Sequence, residues 1–354
     1  MRQSSKVTGF SAGHAVRVAF RTDAGPVTGL GHLRRCLALA HALQALGVES
    51  LMLLDGDDRA LELAMTAGLE TSAVTGGVDH RAIVEYCARV GAHALVVDSY
   101  AFSSDDLRAL VAAGWPVIVF DDTATRELPV DLVINGGAGA GRLAYRGSPH
   151  TRYLLGPSYL ALRPEFGEAR PRTIHDHVRR ALLTIGGADP DRLTARLVRW
   201  TIAGLGAITL DVVVGPLVDE VDSIRAVVRS VPGRVILHES PKQLHDLMLA
   251  GDLAITGGGQ TLYELAALGT PMVAIHLAEN QRLNIEAMRA AGVLEYIGDV
   301  HDAALESALV ATLAALVADP RRRAEMSRRG RDLVDGRGAA RVARAVVDLL
   351  PRRQ

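Results

Sequence analysis

Leu253-Ala254-Ile255-Thr256-Gly257-Gly258-Gly259-Gln260-Thr261-Leu262-Tyr263-Glu264-Leu265-Ala266-Ala267-Leu268-Gly269 is the stretch whose reading decides the fold. Residues 253–256 read as a short buried strand, and a helical pattern starts near Thr261. Strand, glycine turn and helix start make a phosphate cradle. Glycines let backbone N–H groups approach an anion, and the helix N-terminus adds partial positive charge. Glu264, about one turn into that helix, is spaced to reach ribose hydroxyls behind the phosphates. A tight βα turn with an exposed glutamate explains the same residues equally well. The rest of the chain has to decide.

Working outward, the second half repeats strand and helix. A strand over 180–185 ends at Gly186-Gly187-Ala188-Asp189-Pro190, where Asp189 suits an N-cap and Pro190 the first helical position. Gly186 and Gly187 are also free to face a ligand. Strands follow at 208–214, 234–238 and 272–275, with helices at 218–230 and 241–250 between them. After the 272–275 strand come His276-Leu277-Ala278-Glu279-Asn280-Gln281 and a helix to about 291. Helical stretches near 303–317, 321–334 and 338–350 close the chain. Arg321-Arg322-Arg323 and Arg328-Arg329 read as a solvated helix face.

The first half has the same rhythm. Strands are expected at 16–21, 50–54, 71–74, 94–98, 116–120 and 130–134, with helices at 31–46, 58–67, 79–90 and 104–113. Alternation of this kind means parallel strands with ligands at their C-terminal ends. The residues there are Gly29-Leu30-Gly31-His32, Asp98-Ser99-Tyr100 and Asp121-Asp122. His32 would open its helix and face the crevice, where a neutral imidazole accepts a proton. For a lone histidine, a capping or solvent-facing role is the commoner outcome. Tyr100 could equally close a βα loop, and Asp121-Asp122 could be a turn and cap. For Asn280, spacing alone favours an N-cap over a place in the cleft.

Leu154-Leu155-Gly156-Pro157-Ser158-Tyr159-Leu160-Ala161-Leu162-Arg163-Pro164-Glu165-Phe166 breaks the rhythm, and polar sequence follows to 179. The expected organisation is a loose tail over 1–15, a first domain over 16–153, a linker over 154–179, a second domain over 180–335 and a terminal helix over 336–354. The fold class is α/β.

At 354 residues and net charge -1, the chain has room for two domains and no global electrostatic case for nucleic acid or acidic membranes. Cys36 and Cys87 make neither a disulfide framework nor a metal spacing, which fits a cytoplasmic protein. No apolar run approaches ~18 residues, so integral membrane association is not expected. Only Lys6 and Lys242 are lysines among 39 basic residues, an arginine bias typical of high-GC genomes.

The motifs together resemble a known family. Arg21-Thr22-Asp23-Ala24 and Gly29-Leu30-Gly31-His32-Leu33-Arg34-Arg35-Cys36-Leu37-Ala38-Leu39-Ala40 resemble the opening of the pseudaminic-acid-pathway UDP-sugar hydrolases and the related spore-coat polysaccharide proteins. So do Val97-Asp98-Ser99-Tyr100, Phe120-Asp121-Asp122, Leu155-Gly156-Pro157-Ser158-Tyr159, Gly186-Gly187-Ala188-Asp189-Pro190, the glycine stretch, and Ala278-Glu279-Asn280-Gln281. They run in the family's order over roughly residues 16–300. The resemblance implies a GT-B architecture: two Rossmann-like, doubly wound parallel-sheet domains facing a cleft.

It further implies catalytic roles for His32 and Asn280, with Tyr100 near the sugar. A UDP site is implied at Gly186, Gly187, Gly257, Gly258, Gly259, Gln260, Thr261 and Glu264. Gly31, Asp98, Asp121, Glu279 and Gln281 are expected in the sugar and acceptor cleft. Neither a metal nor a cofactor is expected; the UDP-sugar is a substrate. Ser99 stands where the hydrolases often carry histidine, and this departure tilts the expectation toward a small acceptor. The expected activity is inverting transfer from a UDP-sugar to such an acceptor. One member type is a cytosylglucuronate synthase of nucleoside-antibiotic biosynthesis, joining UDP-glucuronate to cytosine. The alternatives are a UDP-sugar hydrolase using water and a non-catalytic nucleotide-sugar-binding subunit.

Overall fold

The computed structural model describes residues 15–25, 28–74, 77–189, 191–218 and 221–350. Residues 1–14 of the expected tail, and Pro190, lie outside the described residues. The first half runs β1 (Val16–Ala24), α1 (Gly31–Gln44), β2 (Val48–Gly56), α2 (Asp58–Thr66), β3 (Glu70–Ala73), α3 (His80–Val90), β4 (Ala94–Asp98), α4 (Ser104–Ala112), β5 (Val117–Phe120), β6 (Glu127–Leu128), β7 (Leu132–Asn135), β8 (Arg146–Gly147) and β9 (Arg152–Leu155). Seven of these strands form one parallel sheet in the order β3-β2-β1-β4-β5-β7-β9, while β6 pairs with β8. Short polar side chains start three of this half's helices. Asp57 caps α2, Asp79 caps α3, and Ser103 with Asp106 forms a capping box on α4.

The second half begins with α5 (Glu165–Glu168) in the connecting segment. It continues β10 (Arg180–Thr184), α6 (Thr194–Leu205), β11 (Thr209–Val214), α7 (Asp222–Arg229), β12 (Val235–Glu239), α8 (Leu244–Ala250), β13 (Leu253–Gly257), α9 (Thr261–Leu268), β14 (Met272–His276), α10 (Arg282–Ala290), β15 (Leu294–Asp299), α11 (Leu305–Ala318), α12 (Pro320–Leu333) and α13 (Gly338–Val347). Its six-stranded parallel sheet has the order β12-β11-β10-β13-β14-β15. Each sheet reverses its strand order once, between β1 and β4 and between β10 and β13. Ligands of open α/β sheets bind beyond the strand ends at such a reversal.

Several expectations are corrected. The first sheet does not end at 130–134, because β9 adds to β7 in parallel, and a boundary at 153/154 would cut that edge strand. Its pattern is weak: Arg152 and Tyr153 are exposed and Leu154 alone is buried. β15 was not expected at all, and it too is a half-exposed edge strand. Asp189 is not the N-cap: α6 starts at Thr194 with Leu193 at that position, and the Asp189 carboxylate reaches forward to accept from the Leu193 and Thr194 N–H groups at 2.8 and 2.9 Å. Arg323 is not solvated. It is 1% exposed and donates to the carbonyls of Leu316 and Val317 and of His175 and Asp176, closing the end of α11 and fixing the connecting segment. α13 returns to the first domain, where Val342, Ala343 and Val346 join the core around α1. No helix among the described residues is long and apolar enough to cross a membrane.

Candidate functional site

The second domain supplies one wall. β13 is buried throughout, and so is every residue of α9. The strand and helix therefore pack from all sides, and the glycines between them have little room. A Cβ at Gly257 would lie 2.4 Å from Leu277 Cδ1, and one at Gly258 would lie 2.5 Å from Ile285 Cδ1. At Gly259 nothing stands within 4 Å. The turn thus opens toward the cleft at Gly259. The N–H groups of Gly259 and Gln260 have no acceptor among the described residues, as an anion site at a helix start requires. Gly258 is different. Its N–H donates to Gln281 Oε1 at 3.1 Å, and the Leu277 N–H donates to the same oxygen at 3.2 Å. Gln281 thereby ties the glycine turn to the loop that carries Asn280.

The first domain supplies the other wall from the ends of β1, β4 and β5. His32 is the second residue of α1 and is 8% exposed. Its ring meets Tyr100 edge-on at 4.8 Å between centroids. Its Nδ1 is buried without a hydrogen-bond partner, 3.6 Å from Asp98 Oδ1. Arg35, one turn along α1, forks onto Asp98 at 2.6 Å through both Nε and Nη2. Its Nη1 donates to both oxygens of Asp122, and its guanidinium lies 4.9 Å from the centroid of the Phe120 ring. Tyr100 donates its hydroxyl to Asp122 at 2.8 Å. Burial pushes the Asp98 carboxyl up, but Arg35 and His32 outweigh it and hold the group below its ordinary 3.8. Burial and Asp122 push the Tyr100 phenol up, which keeps it a neutral donor.

Both walls line one cleft of about 340 Å³. Of the expected site residues, Gly31, His32, Tyr100, Gly186, Gly187, Gly257, Gly258, Gly259, Gln260, Thr261, Asn280 and Gln281 line it. Asn280 is exposed in a single 3-10 turn and caps neither that turn nor α10. Asp98 lies behind His32 and is fully buried. Asp121 is no cleft residue. It is fully buried, and its Oδ1 accepts from the Thr123 and Ala124 N–H groups in a turn closed by left-handed Ala124. Glu279 pairs with Arg282 on the surface. Glu264 is 3% exposed rather than open to the cleft, and its Oε2 is buried without a partner. Burial pushes its carboxyl up, against the pull of Arg34 and Arg163.

Sequence reasoning missed Arg35, and of the Asp121-Asp122 pair it gave the cleft to Asp121, where the structure places Asp122. Arg35 carried a signal: it stands three residues from His32, the spacing that puts two side chains on one helix face. Asp122 stood beside the residue chosen. Asn284 was also missed. It lines the cleft and accepts from the Gly139 N–H at 3.2 Å, while Tyr263 accepts from the Ala138 N–H at 2.9 Å. These bonds hold the loop after β7 against the second domain.

No family model matches the chain. In sequence it is similar to an uncharacterized protein of Methanocaldococcus jannaschii, 24% identical over 75% of this chain and 57% of that one. It is 26% identical to the spore coat polysaccharide biosynthesis protein SpsG of Bacillus subtilis, over 66% of this chain and 69% of SpsG. It is 24% identical to the pseudaminic acid cytidylyltransferase and UDP-2,4-diacetamido-2,4,6-trideoxy-beta-L-altropyranose hydrolase of Helicobacter pylori, over 76% of this chain and 46% of that protein. The chain thus spans about half the length of the first and third of these relatives. In structure it is similar to the spinosyn rhamnosyltransferase SpnG complexed with thymidine diphosphate, with a TM-score of 0.65 at 19% identity, covering 94% of this chain and all of SpnG. It is likewise similar to MurG of Acinetobacter baumannii, with a TM-score of 0.63 at 15% identity, covering 94% and 99%. The two parallel-sheet domains are those of the GT-B fold.

Proposed function

We propose that this chain cleaves the C1–O bond of a UDP-sugar and transfers the sugar, with inversion, to a small acceptor. The observation that supports it is one cleft with a histidine on one wall and open backbone N–H groups at a helix start on the other. Displacement at a sugar carbon needs those two things on opposite sides of the reacting atom. The diphosphate would lie on Gly259 and Gln260, with the ribose toward Glu264. The acceptor would stand at His32.

In this reading the acceptor's X–H proton passes to His32 Nε2 as its electron pair forms the new bond to C1. The C1–O pair leaves with the β-phosphate oxygen, and UDP departs as an anion. Asp98 accepts only, so it favours the tautomer with the proton on Nδ1 and leaves Nε2 as the base. It then balances the imidazolium. A positioned base contributes roughly 10²–10⁴-fold, and each backbone donor on the leaving oxygen about 3 kcal/mol. Tyr100, Asp122 and Phe120 form a polar and aromatic wall beside His32 that a water nucleophile would not need. A nucleobase such as cytosine, accepting from UDP-glucuronate, is one pairing of suitable size.

A second reading, with water as acceptor, draws on the hydrolase activity in the name of the Helicobacter pylori relative. UDP release from a panel of UDP-sugars, with and without small acceptors including cytosine, separates the two in wild type and His32→Ala. Release that depends on an acceptor and is lost in His32→Ala supports transfer. Release in buffer alone, lost in His32→Ala, means hydrolysis. No release with any UDP-sugar, from a protein that still binds UDP, means a non-catalytic binding subunit.

A further inference from the structure

Two adjacent arginines of α1 line the cleft in opposite circumstances. Arg35 is matched by the carboxylates of Asp98 and Asp122. The Arg34 side chain is half-buried, yet it makes no hydrogen bond and no ion pair within 4 Å with any described residue. A guanidinium carries five N–H donors in a fixed fork suited to a carboxylate or a phosphate. That of Arg34 stands without a counter-charge in a cleft whose far wall carries open backbone N–H groups.

A second observation relates Arg34 to the second domain. Among charged groups it is the one that most offsets the burial of Glu264, which belongs to the other domain. Arg34 also lines the same cleft as Gly259, Gln260 and Thr261, where α9 begins. Glu264 Oε2 has no hydrogen-bond partner, and the two side chains do not close into a pair. Across the cleft from Arg34, the open N–H groups of Gly259 and Gln260 would give an anion donors from both domains.

We propose that Arg34 binds an anionic group of the nucleotide sugar from the first-domain wall, either its diphosphate or a carboxylate on its sugar. This rests on the reading that a nucleotide sugar occupies this cleft. An anion held by Arg34 on one domain and by the glycine turn on the other favours the closed arrangement of the two, because it gains both sets of contacts only there.

The test is calorimetric titration of wild type, Arg34→Gln and Arg34→Lys with uridine, UDP, UDP-glucose and UDP-glucuronate. Arg34→Gln is expected to bind the anionic ligands about 10- to 100-fold more weakly, the range of a charged hydrogen bond, and uridine unchanged. Arg34→Lys should recover part of the loss. An equal loss for all three diphosphates assigns Arg34 to the diphosphate. A loss confined to UDP-glucuronate assigns it to the sugar carboxylate. Anionic ligands that bind Arg34→Gln as tightly as wild type overturn the proposal and leave the donor reading standing. So does a loss that includes uridine in both variants, since the site would then have collapsed generally. Wild type that binds none of the uridine ligands removes the donor reading and the proposal with it.

Discussion

His32 Nδ1 stands 3.6 Å from Asp98 Oδ1, the oxygen that also accepts from Arg35 Nη2 at 2.6 Å. The histidine is thus attached to a chain of charges: Asp98, Arg35 and Asp122, with Tyr100 donating to the last. Two strand ends, those of β4 and β5, and one helix contribute to it, so its geometry depends on how α1 packs on the first sheet. The 3.6 Å gap is longer than a hydrogen bond, and a small rotation of the ring would close it as charge develops on the imidazole.

Asp98→Asn should uncouple that chain. The substitution keeps the shape but leaves the fork of Arg35 facing one neutral oxygen and an amide. Breaking a buried pair costs about 3–5 kcal/mol, lessened here by Asp122, which stays on Arg35. The folded carboxyl sits below 3.8, so its contribution is present above that pH and is lost as pH falls through the folded value. Chemical denaturation at pH 7 and near pH 3 should therefore show a large deficit at the first and a smaller one at the second. A deficit that does not change with pH would contradict the ion-pair account.

Gly258 and Gly259 should answer differently to alanine. At Gly258 the new methyl meets Ile285 Cδ1 at 2.5 Å and Gln281 Cβ at 2.8 Å, an overpacking worth about 1–3 kcal/mol of stability. At Gly259 it meets nothing, so Gly259→Ala should melt close to wild type. Its methyl enters the space assigned to the diphosphate, and UDP affinity should fall about tenfold or more through lost N–H contacts. Thermal melts and UDP titrations of the two variants decide the point. Full UDP affinity in Gly259→Ala would move the diphosphate elsewhere.

Gln281 separates a structural role from a binding one. Two N–H groups on one side-chain atom identify that atom as the oxygen and leave the NH₂ as a donor at the cleft. Gln281→Ala strands the N–H groups of Gly258 and Leu277, at about 1–3 kcal/mol if they are left dry, and frees the loop of Asn280. Gln281→Glu keeps the acceptor but sets a negative charge beside the anion site. The alanine variant should lose stability and turnover. The glutamate variant should keep its melting temperature and lose UDP affinity. If both variants melt like wild type, the side chain does not tie the turn to the loop.

Much of this arrangement was legible because its causes are local. Strand and helix periods differ, and glycine runs mark where one gives way to the other, so both halves and their ligand-facing ends could be read in order. What was not legible depends on contacts made across the fold. Asp121 and Asp122 are adjacent and chemically identical. Only the left-handed Ala124 turn commits the first to the backbone and leaves the second to Arg35 and Tyr100. Asn280 has the composition of a cap, but it stands at the middle of its 3-10 turn, where it caps nothing. Arg323 looked like its exposed neighbours because its partners are backbone carbonyls, which have no sequence signature. β9 and β15, which escaped notice, are both half-exposed edge strands.

Glu264 offers a test that combines pH with binding. Its carboxyl is buried and pushed above the ordinary 4.5, so the folded chain holds this proton more tightly than the unfolded chain does. Its contribution to stability is therefore greatest below 4.5 and declines as pH rises through the folded value. Glu264→Gln has no proton to lose. Measured from pH 4 to 8, its unfolding free energy should gain steadily on wild type above pH 4.5 and then level off. A difference that stays flat across that range would mean the carboxyl is not held above its ordinary value. The same variant reports on the ribose. A carboxylate accepting from a ribose hydroxyl is worth about 1.5–3 kcal/mol, so UDP should bind Glu264→Gln roughly tenfold or more weakly. 2′,3′-Dideoxyuridine diphosphate, which lacks both hydroxyls, should bind the two proteins alike. Equal losses for both nucleotides would place the ribose away from Glu264 and leave that carboxyl a structural burden of the domain contact.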